Sequence, residues 1–206
     1  MIRILSRDDR GRLALYRPDG TVAGMEKPTR DRILDAVQEI LVRDGHSAVT
    51  LDAVAAAAGV SKGGLLYHFG SKSALITGLA VRLSEAAEQE FARARREGVV
   101  RTYLRTSSPE SAEEADLYGA MLEAGLGGRG ELSSEAEVLT HTVFERWWAM
   151  LREDVADPVL AEGIRLIGDG LFFTAISGLP QPDPALVRAL IERCVVAAEQ
   201  ARTAEE

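Results

Sequence analysis

From Thr29 onward, apolar residues recur at three- and four-residue spacing, and no convincing alternating strand follows residue 25. The main body therefore reads as all-α. The segment TRDRILDAVQEILVRDG puts Ile33, Leu34, Val37, Ile40 and Leu41 on one stripe, with Thr29 as the expected N-cap and Gly45 as the stop. A second, two-turn helix is expected after the cap Thr50, burying Val54, Ala57 and Ala58 and ending at Gly59. Ser61 caps a third, running to Phe69. Ser71 caps a fourth, whose apolar positions Leu75, Ile76, Leu79, Leu83, Ala86 and Ala87 lead on to Phe91. Extension to Glu97 would make it about 39 Å long.

Downstream, a capping residue followed by proline recurs at Ser108-Pro109, Asp157-Pro158 and Asp183-Pro184, and each predicts a helix start. Ser134 with Glu137 makes a capping box for a helix holding Val138, Val143, Phe144, Trp147, Trp148 and Leu151. Residues 99–106 add a short helix. About nine helices result, three in a small N-terminal unit and the rest in a bundle. Residues 1–25 stand apart: RLALYRPDGTVAG carries a turn at Pro18-Asp19-Gly20 between short β-prone runs, so it reads as a hairpin or a loose arm. Two readings of it stand, an Arg-bearing arm that touches DNA and a stretch upstream of a true start at Met25.

Composition narrows the class. With 206 residues and 46% hydrophobic content the chain can build a core, and no apolar run reaches the ~18 residues of a membrane span. The N-terminus, MIRILSRDDRGR, lacks a secretory apolar core, so a cytoplasmic location and no membrane association are expected. The single cysteine, Cys194, excludes an intrachain disulfide and a multi-cysteine zinc site, and its apolar surroundings suit a buried structural thiol.

The net charge of −8 would argue against a nucleic-acid partner if it were spread evenly, but it is not. Residues 1–25 hold five Arg against three Asp, residues 26–76 hold six of each sign, and residues 77–206 hold 13 basic against 23 acidic. A near-neutral amino-terminal module on an acidic body suits a protein that meets phosphates with one small face.

Two short helices joined by Gly59-Val60-Ser61 match a helix-turn-helix, whose second helix enters the major groove. Thr50, Val54-Ala55, Gly59-Val60-Ser61, Gly63, Leu65, His68-Phe69 and Lys72 together resemble the DNA-binding unit of the tetracycline-repressor (TetR) family. The resemblance covers residues 29–76. It implies an N-terminal three-helix DNA-binding unit (26–76) joined by a long fourth helix to a C-terminal helical ligand-binding and dimerisation bundle (77–206). It also implies that Thr50 and the residues from Lys62 to His68 face DNA, and that Lys72 binds phosphate.

Elementary chemistry agrees. Thr50, Ser61 and Ser71 sit at helix N-termini, where free N–H groups and the positive dipole end favour phosphate oxygens. Lys62 and Lys72 are the only Lys or Arg residues between Arg43 and Arg82. The expected DNA-facing set is Thr50, Ser61, Lys62, Gly63, Gly64, Leu66, Tyr67, His68 and Lys72, while Val60, Leu65 and Phe69 pack the core. Two positions depart from the family pattern: Leu66 replaces the usual tyrosine, and Gly64 removes a side chain where relatives often read a base. Specificity must then rest on neighbours such as Lys62 and on DNA shape. Asp52 reads as favourable charge at a helix N-terminus in preference to an acceptor for a cytosine amino group.

In the body, the last two helices are apolar on more than one side. Ile164, Ile167, Leu171, Phe172, Ile176, Leu186, Leu190 and Cys194 are expected to form a homodimer interface, which would let two reading helices address a palindromic operator. Met121, His141, Phe144, Trp147, Trp148, Met150 and Phe172 are candidates for a pocket, since aromatics and Met dominate apolar ligand sites. The family resemblance implies a small organic effector and, most often, repression.

Other classes fare worse. Gly125-Leu126-Gly127-Gly128-Arg129-Gly130 is a literal GxGxxG, but it lies between helical segments, whereas the dinucleotide fingerprint needs a preceding strand. His46, His68 and His141 are too scattered for a metal site. No catalytic residues, metal or cofactor are expected. A helical ligand-binding or protein-interaction module without DNA binding is the alternative.

Overall fold

The computed structural model describes residues 4–7, 13–15, 27–109, 111–126 and 134–205. Among these are nine α-helices: α1 (Thr29–Asp44), α2 (Leu51–Ala58), α3 (Lys62–His68), α4 (Lys72–Glu97), α5 (Val99–Thr106), α6 (Ala112–Leu126), α7 (Ser134–Asp154), α8 (Pro158–Ile176) and α9 (Pro184–Glu205). A 3-10 turn, His46–Ala48, follows α1. Strands β1 (Ile4–Arg7) and β2 (Leu13–Leu15) pair antiparallel, with Ile4 opposite Leu15 and a bulge before Ser6. The turn expected at Pro18-Asp19-Gly20 lies outside the described residues.

The chain divides into two compact units. One comprises the chain up to Ala86 together with Asp116–Leu139, the other Ala87–Ala115 with Thr140–Glu206. In the first, Ile33, Leu34, Val37, Val54, Leu65, Leu75, Ile76 and Leu79 are fully buried. Each such side chain contributes about 1.5–3 kcal/mol of burial. Gly78 is required by this packing: a Cβ there would lie 2.6 Å from the Phe69 ring and 3.1 Å from Leu34. Arg82 ties α4 back to α1, donating to Asp35 Oδ1 at 2.9 Å and Gln38 Oε1 at 2.6 Å.

The turn between α2 and α3 is fixed from both sides. Gly59 sits in the left-handed region at φ 64°, and Val60 N–H reaches back to the Ala55 carbonyl at 3.0 Å, closing a Schellman turn. Arg32 of α1 then donates to the carbonyls of Ala58 (2.8 Å) and Gly59 (3.1 Å), placing a cation at the negative end of α2.

In the second unit Phe91, Leu104, Leu151 and Ile164 are buried to within 1% exposure. Here α5 and α8 approach so closely that a Cβ on Gly168 would lie 2.4 Å from the Tyr103 ring. Asp157 accepts from Val159 N–H (2.8 Å) and Leu160 N–H (3.2 Å) before Pro158, and Asp183 accepts from Ala185 N–H (2.7 Å) before Pro184, so both expected cap-proline starts are present.

Four local expectations need correction. Thr29 is the first residue of α1, preceded by Pro28, and makes no cap. In α2 the buried positions are Val54, Ala55 and Ala58, while Ala57 is exposed, because the α1 contact falls one residue round the helix from the expected stripe. Ser108-Pro109 does not open α6: Ser107 and Ser108 N–H groups still close α5 against the Tyr103 and Arg105 carbonyls, and Ser111 caps α6 through Glu114 N–H at 3.1 Å. Finally, α7 includes Ser134 as its first helical residue, and what precedes it lies outside the described residues.

Candidate nucleic-acid interface

The N-termini of α2 and α3 are each capped by their own hydroxyl. Thr50 Oγ1 accepts from Ala53 N–H at 3.2 Å and Ser61 Oγ from Gly64 N–H at 3.0 Å, and Ser71 Oγ does the same for Ala74 N–H at 3.1 Å in α4. One turn of each helix still presents further N–H groups outward. Thr50, Ser61, Lys62, Gly63, Leu66, Tyr67 and His68 are exposed, and Gly64 and Lys72 are half-buried. Tyr67 is 87% exposed, far beyond what a core aromatic shows, and it meets His68 edge to face at 5.2 Å. Leu65 and Phe69, at 0% and 5%, turn inward as expected, and Val60 packs against the same core.

The two glycines differ. A Cβ on Gly63 would meet nothing within 4 Å, so the fold itself does not ask for glycine there; on Gly64 it would lie 3.2 Å from Ser61 Oγ, against the cap. The lysines differ too. Lys72 Nζ donates to the His46 carbonyl at 2.6 Å, which straps α4 to the 3-10 turn and fixes the ammonium. Lys62 pairs with Asp52 at 2.9 Å across the two helix starts, with both side chains exposed. Neither tie is legible in the sequence: the first uses a backbone carbonyl, and the second joins residues ten apart whose proximity depends on the turn geometry.

The residues expected to line a pocket do not form one set. Met121 packs in the first unit's core beside Leu117 and Ala136. His141 is exposed. Trp147 belongs to the second core, with Phe91 at 4.8 Å and Tyr103 at 5.7 Å between ring centres. Phe144, Trp148 and Phe172 do cluster, at 6.3 and 6.0 Å from Phe144, half-buried. The Trp148 indole N–H is buried with no acceptor among the described residues, and the Arg165 guanidinium lies 5.1 Å from its ring. Arg165 is held by Glu162 and Asp169, which also receives the Tyr103 hydroxyl at 3.0 Å; burial and that carboxylate push the Tyr103 pKa up. A separate cleft of about 590 Å³, between the ends of α4, α7 and α9 and the start of α5, is lined by Met150 alone of the expected set.

The expected dimer residues also separate. Ile164 (0% exposed) and Cys194 (7%) lie inside the protomer, with burial pushing the Cys194 thiol up, so they support the α8–α9 face from behind. Ile167, Leu171, Phe172 and Ile176 are half-buried, whereas Leu186 and Leu190 are exposed. Leu166, Phe173 and Val196 add to the exposed apolar side chains of these helices. Helical periodicity reads α8 and α9 as apolar on more than one side, and packing against α5 and the rest of the second core decides which side is covered.

The GxGxxG motif begins in the last turn of α6, at Gly125, with no strand before it among the described residues of that unit's helical run. No group of three metal-ligating side chains occurs among the described residues. No helix among them is long and apolar enough to cross a membrane.

Comparison with known proteins assigns both halves. The family model for bacterial regulatory proteins of the tetR family matches residues 33–79, and that for the tetracyclin repressor-like C-terminal domain matches residues 97–195. The HTH-type transcriptional regulator AlkX of Mycobacterium tuberculosis is 43% identical over 56 residues, which span 27% of this chain but only 26% of AlkX. SrpR of Pseudomonas putida is 30% identical over 112 residues, half of this chain and 53% of SrpR. TtgW, an uncharacterized HTH-type transcriptional regulator of the same species, is 30% identical over 112 residues, covering 50% of this chain and 84% of TtgW. Among solved structures, the multidrug binding protein EbrR complexed with malachite green superposes with a TM-score of 0.62 at 20% identity, over 82% of this chain and 98% of EbrR. With the helix-turn-helix geometry and both family models in agreement, the chain belongs to the tetR family of bacterial regulatory proteins.

Proposed function

We propose that the protein is a transcriptional regulator, acting as a repressor in the cytoplasm and not as an enzyme, which binds a palindromic DNA operator as a homodimer and is released by a small organic effector. Residues 26–76 serve as the reading head and 77–206 as the effector and dimerisation body. The observation that carries this reading is the exposed α3 face. Gly63 leaves room the fold does not need, Lys62, Tyr67 and His68 project into solvent, and two hydroxyl-capped helix starts supply N–H groups for phosphates. Leu66 supplies an apolar contact where relatives carry a hydroxyl, leaving Tyr67 to reach the backbone.

Pairing two such heads calls for a two-fold interface, and the exposed Phe173, Leu186, Leu190 and Val196 of α8 and α9 supply an apolar face for it. An effector would act by preferring one spacing of the two heads over another. Phe144, Trp148 and Phe172, with a Trp148 N–H that has no acceptor among the described residues, are the best placed of the described aromatics to contact it.

Footprinting on the DNA flanking the gene, with and without candidate effectors, tests the reading. Protection of a palindrome at submicromolar protein, relieved by an effector, is expected. No protection at any site up to micromolar protein overturns it in favour of a helical module without DNA binding.

A further inference from the structure

The ion pair between Asp52 and Lys62 has no evident task in the fold. Both side chains are exposed, at 76% and 58%, and exposed pairs contribute little to stability. The helix starts they occupy are already capped by Thr50 and Ser61. Yet Lys62 Nζ lies 2.9 Å from one Asp52 oxygen and 3.2 Å from the other, joining the second residue of α2 to the first of α3. A carboxylate at the edge of a DNA-facing surface is electrostatically unfavourable unless it has a specific partner there.

We propose that Asp52 and Lys62 form one composite reading unit for a G·C base pair. This rests on the DNA-binding reading above. An ammonium carries three donors and a carboxylate only acceptors, so the pair keeps unused donors on one member and unused lone pairs on the other. Guanine presents two adjacent acceptors, N7 and O6, in the major groove, and its cytosine partner presents the N4 amino donor. Lys62 donates to the former and Asp52 accepts from the latter. An A·T pair breaks that order and turns a thymine methyl towards the charges. Phosphate suits the pair poorly, because Asp52 offsets the charge that would draw Lys62 to the backbone. Gly63 and Gly64 place no side chains beside the pair, and a Cβ on Gly63 would meet nothing within 4 Å, so the base edges can come close.

Selection from a library of random DNA duplexes, with the full-length protein and its Asp52→Ala and Lys62→Gln variants, tests this. The wild type should require G·C at one position of each half-site, by about 5- to 150-fold over other pairs. Asp52→Ala should lose discrimination at that position alone, while the slope of log affinity against log salt steepens by about 1 as Lys62 is freed for phosphate. Lys62→Gln should lose the same position without steepening, which keeps the test valid if the alanine variant folds poorly. Unchanged discrimination in both variants, or equal losses across all sequences, would overturn the pairing while leaving DNA binding in place. A wild type that enriches no sequence would overturn the DNA-binding reading and the pairing together.

Discussion

Along α1 to α3 the large apolar side chains left exposed are Leu66 and Tyr67, both on one short helix, above a core in which eight side chains from α1, α2, α3 and α4 are fully buried. In the C-terminal unit the distribution is different. Leu166, Phe173, Leu186, Leu190 and Val196 are exposed on α8 and α9, while Thr102 and Ser107 are buried and the Tyr103 hydroxyl is tied to Asp169. The first unit buries its apolar side chains in one shared core, to which Leu117, Met121 and Ala136 also contribute, and leaves α3 with a small exposed surface. The C-terminal unit leaves apolar side chains on its surface and places polar groups inside, which supports the proposed contact with a second copy and an effector.

The largest way to break this contrast is Leu65→Ala. It removes a fully buried side chain from the head and should cost about 2–5 kcal/mol. Both tryptophans, Trp147 and Trp148, belong to the C-terminal unit, so urea unfolding followed by tryptophan fluorescence should shift less than the same titration followed by circular dichroism. Next comes Leu186→Glu on the exposed α9 face. In the proposed two-fold interface that charge would occur twice, and sedimentation should show the dimer weakened by roughly 2–4 kcal/mol, with each protomer still helical.

Smaller effects sharpen the comparison. Gly168→Ala drives a methyl into the Tyr103 ring and should destabilise the C-terminal unit by about 1–3 kcal/mol in denaturant titrations. Two residues on, Gly170→Ala meets nothing within 4 Å and should be neutral or stabilising. In the head, Ser61→Ala removes the α3 cap at a cost of about 1 kcal/mol, readable as a lower melting temperature.

The head was the more legible region because its determinants are local. Thr50 and Ser61 lie three residues before the N–H groups they accept from, Gly59 marks a left-handed turn, and the α1 stripe has one face to bury. The same holds for Asp157 and Asp183, whose prolines announce α8 and α9. What escaped the sequence was set by distant partners. Ile164 looks like part of an interface face of α8 until the second core covers it, whereas Cys194, expected as a buried thiol from its apolar surroundings, is buried in that core. Met121 shares residue chemistry with the pocket candidates but belongs to the first core, in the same cluster as Leu117 and Ala136. Ser108 carries every local mark of a cap and yet still belongs to the end of α5, since its N–H is used by the Arg105 carbonyl.

The central claim, that α3 is shaped for DNA and not for the fold, is tested most directly at Gly63. Gly63→Gln adds a side chain where the protein has open space, and glutamine favours helix over glycine by roughly 0.5–1 kcal/mol. Stability and DNA affinity should therefore be measured on the same preparation. The account predicts a melting temperature equal to or above wild type, together with at least a roughly tenfold weaker grip on the operator, about 1.4 kcal/mol. Affinity unchanged in a variant of equal stability would contradict it.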